Sequence, residues 1–290
     1  MAIIEVKNLT KYYGRSRGVE DLSFEVREGE IFGFLGPNGS GKTTTIRLML
    51  DFIRPNKGEI KIFGFDAKDD AVAIHRQVGY VSSEPFLYPY MKGRDLLRWL
   101  KIFRPCSNDL PWARLFEIFR FDPNRFIKNY SSGNRKKLAL IQALIHRPRL
   151  LILDEPTNGL DPIMKQNFYA LLRSLKRQGV TIFFSSHDLT EVQKICDRAA
   201  VVKDGRIVAV EEISELIGKS GTYLDVAFQD APPQEVLLGF DVVSRNGNIV
   251  RLKVTGSINQ ALQRISQYPI ADINITKPTL EDIFLTWYKT

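Results

Sequence analysis

Short apolar runs rich in β-branched and aromatic residues recur along residues 1–210 and alternate with amphipathic stretches. The runs at 150–154 and 180–184 are continuously apolar, which is typical of parallel strands covered on both faces. The alternation predicts an α/β fold built on a mainly parallel sheet. We expect strands at 2–7, 22–27, 30–35, 59–62, 77–81, 150–154, 180–184, 198–203 and 206–210, and helices at 44–52, 163–177 and 188–196.

One block interrupts the alternation. Residues 86–146 show almost no strand pattern and predict three helices, near 92–103, 110–120 and 133–146, separated by Pro105, by Asp122-Pro123 and by 131–133. We therefore expect a helical subdomain inserted into the α/β unit. No helix is predicted between the first two strands, at 2–7 and 22–27. This pattern predicts a small antiparallel sheet.

The pattern changes again after residue 218. Alternating strands are predicted at 222–228, 240–245 and 248–254, with a turn at Asn246-Gly247. A helix near 258–267, a strand at 270–275 and a helix at 278–288 follow. The sequence thus predicts two domains, an α/β domain over 1–218 and a small α+β domain over 219–290.

Residues 36–43 carry the strongest chemical motif of the chain. They match the phosphate-binding pattern G-x-x-x-x-G-K-[ST] and lie between a predicted strand and a predicted helix, as that motif requires. Glycines let the backbone N–H groups point at phosphate oxygens, and the helix N-terminus adds partial positive charge. The motif therefore predicts a nucleoside triphosphate site, formed by Gly36, Asn38, Gly39, Ser40, Gly41, Lys42, Thr43 and Thr44. Lys42 would reach the outer phosphates, and the Thr43 hydroxyl would ligate Mg²⁺.

Two carboxylates, Asp154 and Glu155, follow the apolar strand at 150–154. Ligands of open parallel sheets bind at the carboxyl ends of the strands, so this pair is expected beside the triphosphate. Asp154 would hold the Mg²⁺ ion or its water, and Glu155 would polarise the attacking water.

The segment 154–162, Asp-Glu-Pro-Thr-Asn-Gly-Leu-Asp-Pro, resembles the joined Walker B and D-loop of ATP-binding-cassette (ABC) transporter ATPases. The resemblance implies a P-loop NTPase cassette that hydrolyses ATP with Mg²⁺, and it covers residues 1 to about 215 densely. It assigns His187 as the catalytic switch histidine beside Lys42 and Glu155. It makes Asp161 a nucleotide contact and Tyr13 the aromatic that stacks on adenine, with Tyr12 as the competing assignment.

Two segments depart from the family pattern. Where the family has a Leu-Ser-Gly-Gly-Gln signature that completes the partner cassette's site, residues 130–134 read Tyr-Ser-Ser-Gly-Asn. Ser131 and Gly133 keep the expected nucleotide contacts. Ser83 stands where the family usually has a Gln that contacts Mg²⁺, and its side chain is two to three bonds shorter. We expect weaker coupling rather than lost binding, with Glu84 as an alternative donor.

Composition and charge bear on the possible partners and on the cellular compartment. Lys and Arg number 41 against 33 Asp and Glu; residues 221–290 hold 6 against 7, so residues 1–220 hold 35 against 26, a net of +9. Such a surface suits nucleic acid or an anionic membrane leaflet, and a polyanionic nucleotide accounts for part of the excess, so charge alone decides neither. Cys106 and Cys196 match no metal or redox spacing, which favours a reducing cytoplasm. We find no pattern of a membrane span or a signal peptide.

The resemblance implies a cytoplasmic protein peripheral on the cell membrane, docked on a separately encoded integral membrane permease and powering export. It also implies a second cassette, for which we favour a homodimer over a heterodimer, and no nucleic acid. The helical block is the expected docking surface, and it contains large apolar residues at Phe86, Leu87, Tyr88, Tyr90, Leu96, Trp99 and Leu100. We expect most of them in the core and a minority exposed as a patch that receives a permease helix. The C-terminal segment 277–285 is similar to the closing helix of a small domain in bacterial exporter-type cassettes.

Two other hypotheses remain open from the sequence. The basic first domain permits a soluble cassette protein that acts on ribosomes or DNA, although the chain has neither a second cassette nor a long coiled-coil insertion. Ser83 and the altered signature favour a degenerate regulatory cassette, whereas Lys42, Asp154, Glu155 and His187 oppose it.

Overall fold

A computed structural model of the chain describes residues 1–103, 112–215, 222–231, 237 and 239–277. These fall into two compact units, Met1–Glu211 and Glu212–Thr290. The predicted boundary at residue 218 lies outside the described residues, so the predicted division at that residue stays a prediction. None of the described helices is long and apolar enough to cross a membrane.

Strands and helices alternate along most of the first unit. They are β1 (Ala2–Tyr13), β2 (Ser16–Arg27), β3 (Ile31–Leu35), α1 (Lys42–Met49), β4 (Lys57–Ile62), β5 (Phe65–Asp66), α2 (Ala71–His75), β6 (Val78–Val81), α3 (Gly93–Phe103), α4 (Trp112–Phe119), a 3₁₀ turn (Ile127–Asn129), α5 (Ser132–Leu144), β7 (Leu150–Asp154), α6 (Pro162–Arg177), β8 (Thr181–Ser186), α7 (Leu189–Ile195), β9 (Arg198–Lys203) and β10 (Arg206–Glu212).

The central sheet has six strands in the order β10-β9-β3-β8-β7-β6. Every pair among β9, β3, β8, β7 and β6 is parallel, which confirms the predicted α/β fold class. All residues of β3, β7 and β8 are buried, because helices or the sheet that contains β1 and β2 cover both faces of these strands. The rings of Phe24, Phe32, Phe34 and Phe183 pack with centroid separations of 5.2–6.1 Å.

The predicted antiparallel sheet is also present, with four strands in the order β2-β1-β4-β5. Both β1 and β2 are longer than expected, and they form a hairpin whose last pair is Tyr13↔Ser16. The extra length brings the hairpin tip beside the glycine-rich loop (residues 36–43). The short elements β5 and α2 were not predicted, because two and five residues are too few to establish a period.

The chain leaves the central sheet after β6 and returns at β7, and the segment between them contains α3, α4, the 3₁₀ turn and α5. The helices predicted at 92–103 and 133–146 are found at Gly93–Phe103 and Ser132–Leu144. α4 falls within the range predicted for the second helix, whose first residues, with Pro105, lie outside the described part of the chain. We call residues 86–146 the helical insert.

The second unit contains β11 (Thr222–Phe228), β12 (Asp241–Asn246), β13 (Ile249–Val254), α8 (Ile258–Ile265) and β14 (Ile270–Thr276). Its strands form an antiparallel sheet in the order β12-β13-β11-β14. Apolar side chains of β11 and β13 pack with Ala261 and Ile265 of α8 to form a separate core. The helix predicted at 278–288 lies outside the described residues.

Candidate functional site

The glycine-rich loop joins the end of β3 to the start of α1. Gly36 N donates to the Ser186 carbonyl at 3.3 Å, which ties the loop to the end of β8. Gly41 has φ +106, and a Cβ there would lie 2.6 Å from a methyl of Val19 and 2.9 Å from the Gly18 carbonyl. Only glycine fits a left-handed position this close to a neighbouring strand. The loop is therefore held tightly between β2 and the central sheet.

Lys42 begins α1 and is only 5% exposed. Its Nζ donates to the Gly36 carbonyl at 2.7 Å and the Pro37 carbonyl at 3.1 Å. The same ammonium lies 3.2 Å from Glu155 Oε1. Lys42 thus folds back over the loop and places a fixed positive charge beside the carboxylates at the end of β7.

A second contact joins the start of α1 to the end of β7, and it is formed by Thr43 and Asp154. Thr43 Oγ1 donates to Asp154 Oδ2 at 2.8 Å, and Ser185 Oγ donates to Oδ1 at 2.8 Å. Asp154 is fully buried, so its orientation is fixed by these two hydroxyls. A hydroxyl and a carboxylate that converge in this way supply the oxygen donors that Mg²⁺ prefers.

Glu155 joins the lysine to the histidine. His187 Nδ1 lies 2.8 Å from Glu155 Oε2, while Oε1 is buried beside Lys42 without a hydrogen bond. Oε1 meets the distance for an ion pair with Lys42 but not the geometry of a hydrogen bond. The Glu155 backbone has φ 48 and is held by a hydrogen bond of 3.1 Å from its N–H to Ser185 Oγ. Glu155 therefore lies between Lys42 and His187, and its Oε1 can still accept a hydrogen bond.

One cleft of about 390 Å³ is lined by Lys42, Thr43, Glu155 and His187. Its lining residues together are Tyr13, Arg17, Gly18, Asn38, Gly39, Gly41, Lys42, Thr43, Thr44, Ser83, Glu155, Asn158 and His187. The Tyr13 ring is 47% exposed with the Lys11 ammonium 5.6 Å from its centroid, whereas Tyr12 is not among the lining residues. The structure thus brings together most of the predicted site and gives Tyr13 the exposed ring face.

Six predicted site residues do not line this cleft. Asp154 is fully buried and accepts a hydrogen bond from Thr43, which does line it. Gly36 and Ser40 are buried within the glycine-rich loop itself. Ser131 caps α5, because its Oγ accepts from Asn134 N at 3.3 Å, and Asp161 caps α6 by accepting from Met164 N at 2.9 Å. Gly133 lies against the loop after β7, where a Cβ would come 2.8 Å from the Gly159 carbonyl. The signature segment therefore does not line its own chain's cleft.

The sequence did not single out three lining residues. Arg17 and Gly18 reach the cleft only because the β1–β2 hairpin is long, and no local motif marks them. Asn158 lies in the quoted 154–162 segment, and its Nδ2 donates to Glu155 Oε2 at 3.4 Å.

Lys136 is a fourth residue that the motifs did not mark. It is 2% exposed, and its Nζ donates to the carbonyls of Ser82 at 3.0 Å and Ser83 at 2.9 Å. Burial lowers its pKa to about 8, although the nearby carboxylates of Asp154 and Glu155 act in the opposite direction. A lysine on the apolar face of the predicted third helix was the signal that could have revealed it. The Ser83 loop is thus held by a side chain of the helical insert.

The sequence is similar to those of known ABC transporter proteins. The family model for ABC transporters matches residues 19–158. The uncharacterized ABC transporter ATP-binding protein YhcH of Bacillus subtilis (strain 168) is 33% identical over 98% of this chain and 95% of its own. The bacitracin transport ATP-binding protein BcrA of Bacillus licheniformis is 33% identical over 98% of this chain and 96% of its own. The Nod factor export ATP-binding protein I of Rhizobium johnstonii is 32% identical, over 97% and 93% respectively.

Solved structures show the same fold. An ATP-binding subunit of an ABC transporter superposes with a TM-score of 0.68 at 29% identity, over 74% of this chain and 91% of that one. A dimeric ATP-binding cassette in a post-hydrolysis state, bound to ADP and Pi, superposes with a TM-score of 0.66 at 23% identity, over 72% of this chain and 98% of that one.

Proposed function

Because this chain belongs to the family of ABC transporter ATP-binding proteins, which are P-loop ATPases, we propose that it binds and hydrolyses ATP to power export through a separate membrane permease. The observation that carries the proposal is one cleft in which Lys42, the Thr43–Asp154 pair and the Glu155–His187 pair meet. Export is supported by full-length similarity to proteins named for bacitracin transport and Nod factor export.

Each side chain has a role that its position supports. Lys42 would stabilise charge on the outer phosphates, and Thr43, Asp154 and Ser83 would hold Mg²⁺, which when bound neutralises phosphate oxygens. Glu155 Oε1, buried without a hydrogen bond, would accept a proton from the attacking water. His187 would contact the γ-phosphate while its Nδ1 stays paired with Glu155. Tyr13 would stack on adenine through its exposed ring.

A second cassette is needed for a complete site. Ser131, Gly133 and Asp161 do not line their own chain's cleft and would instead contact ATP bound to the partner. The N-terminus of α5 at Ser131 offers backbone N–H groups and partial positive charge to a phosphate. We favour two copies of this chain arranged head to tail, so that ATP joins both clefts and closure drives the permease.

The permease would dock on the helical insert and the adjoining groove. Phe86, Tyr88 and Tyr90 are 92%, 52% and 79% exposed, an unusual set of large apolar groups on one loop. A groove of about 200 Å³ lies between the insert and the central sheet, with the half-exposed ring of Phe52 at its edge. The test is capture of the permease by chains carrying Tyr88→Asp or Tyr90→Asp. Undiminished capture by a folded variant would remove these residues from the docking surface.

The central experiment compares the wild type with Glu155→Gln and Lys42→Met in Mg-ATP. We expect Glu155→Gln to lose hydrolysis by about 100-fold or more, because it loses the proton acceptor but keeps the phosphate contacts. Light scattering should find that variant as a dimer in ATP. Lys42→Met should bind ATP weakly and stay monomeric. A Glu155→Gln chain that neither binds ATP nor dimerises would contradict the proposal.

A regulatory cassette is the second candidate function, and Ser83 favours it. Its side chain lines the cleft where the family has a longer amide, while its carbonyl is occupied by Lys136. A regulatory chain would show little turnover of its own, so Glu155→Gln would leave the rate almost unchanged. Under the proposed function, Ser83→Gln should raise the rate or alter its Mg²⁺ dependence; no change in either would mean that the short side chain is not limiting.

A further inference from the structure

One carboxylate outside the cleft has an unusual number of partners. Glu191 lies in α7 and is 3% exposed. Four side chains donate to it, from the loop after β7, from β8 and from α6. Burying a carboxylate costs free energy, because the charge loses its hydration. It is tolerated only when hydrogen bonds and opposite charge compensate that loss. The compensation here is complete on both oxygens, so the position of Glu191 is rigidly defined.

The two oxygens have different partners. Oε2 accepts from Thr157 Oγ1 at 2.8 Å and from Ser186 Oγ at 3.1 Å. Oε1 accepts from Lys165 Nζ at 2.8 Å and from Tyr169 OH at 2.9 Å, both in α6. Thr157 follows Glu155 by two residues, and Ser186 immediately precedes His187. A single oxygen therefore joins the two segments that carry the paired Glu155 and His187.

The backbone at this point needs such support. Glu155 has φ 48, a left-handed conformation that is strained for a non-glycine residue and persists only where the surroundings hold it. The Glu155–His187 contact of 2.8 Å spans the same two segments as the Glu191 Oε2 bridge. Movement of either segment would change the alignment of both groups with a bound phosphate. Misplacement by about 1 Å can cost on the order of 100-fold in rate.

We propose that Glu191 is a positioning residue that fixes the loop after β7 and the end of β8 to each other, so that Glu155 and His187 meet ATP as one unit. The inference rests on the proposed function, because it concerns the rate of ATP hydrolysis. It assigns the effect to Oε2, while the Oε1 contacts with α6 serve stability. Glu191 itself is not among the residues that line the cleft.

A double-mutant cycle between Glu191→Gln and Thr157→Val tests this assignment. Glu191→Gln removes the charge, and Thr157→Val removes one donor without changing side-chain size. Each should lower kcat by about 10-fold with little change in KM, because binding groups are untouched. Together they should cost little more than either alone, with a coupling of about threefold or more. Thr157→Ser keeps the hydroxyl and should restore kcat.

The matched control is Tyr169→Phe, which removes a donor from the other oxygen of the same carboxylate. It should lower thermal stability and leave kcat within about twofold of the wild type. Equal kcat losses in Tyr169→Phe and Thr157→Val, strictly additive losses in the cycle, or no difference between Thr157→Ser and Thr157→Val would each overturn the inference. A wild-type chain without Mg-ATP turnover would instead overturn the proposed function, and the inference with it.

Discussion

At the scale of single residues, the first unit concentrates buried charges around one cleft. Lys42, Lys136, Asp154, Glu155 and Glu191 are all less than 10% exposed. Each would be costly to bury alone, since a charge loses its hydration, and each is compensated by a neighbour of opposite charge or by hydrogen bonds. Removing one member therefore leaves another exposed to that cost, which makes these side chains sensitive probes of the site.

Lys136 gives a prediction in which the pH dependence has a defined sign. Burial lowers its pKa in the folded chain from 10.5 to about 8. Between pH 8 and 10.5 the unfolded chain therefore binds more protons, so the contribution of Lys136 to the free energy of unfolding rises with pH in that window. Relative to Lys136→Met, the wild type should gain roughly 1–3 kcal/mol across it, measured by urea denaturation.

Arg135→Met is the control for this measurement. Arg135 precedes Lys136 in α5 but is exposed, so the difference between that variant and the wild type should not change across the same pH range. A flat difference for Lys136→Met, or an equal slope for Arg135→Met, would show that burial of the Lys136 ammonium is not the cause.

At the scale of secondary-structure elements, the stability of the first unit depends on β3 and β8 at the middle of its sheet. Phe183 of β8 is fully buried, and its ring contacts Phe24, Phe32 and Phe34. Phe183→Ala should lower the free energy of unfolding by about 3–5 kcal/mol, because it leaves a cavity among rigid rings. Denaturation of Phe86→Ala serves as the comparison: that ring is 92% exposed and should matter by less than about 0.5 kcal/mol. Similar losses in both variants would contradict the packing argument.

The same elements explain how much the sequence could predict. Continuous apolar runs identified β3, β7 and β8, and the motif at 36–43 identified the loop that follows β3, because these signals are local. The contacts of Lys136 with Ser83 and of Glu191 with Thr157 join residues 53 and 34 positions apart. No local period encodes such pairs. They become visible only when the sheet brings the strand ends together, which is why both side chains were missed.

At the scale of the whole molecule, the proposed function places Ser131 and Gly133, which do not line their own chain's cleft, in a site shared between two chains. Lys42→Ala would inactivate a chain's own cleft, and Gly133→Asp would inactivate its contribution to the partner. Neither variant alone should hydrolyse ATP appreciably. An equal mixture should recover about a quarter of the wild-type rate, because half of the dimers are mixed and each contains one complete site.

The mixture also separates a homodimer from the alternatives. Recovery requires that two copies of this chain pair and that each supplies the signature to the other. No recovery, despite both variants being folded and one still binding ATP, would favour a different cassette as the natural partner. Full ATPase activity of Gly133→Asp alone would place the signature residues outside the shared site, and full activity of Lys42→Ala alone would contradict the role of Lys42.

The helical insert lies between β6 and β7, and these two strands pair directly, from Val78↔Leu150 to Val81↔Leu153. The paired residues of β6 and β7 lie outside the insert, whereas Lys136 of the insert donates to the Ser82 and Ser83 carbonyls that follow β6. Under the proposed function, exchanging the insert between relatives would replace two surfaces at once: the docking surface for the permease, and the segment 131–133 that completes the partner's ATP site. A change of permease and a change in the partner's ATP site would therefore be inherited together.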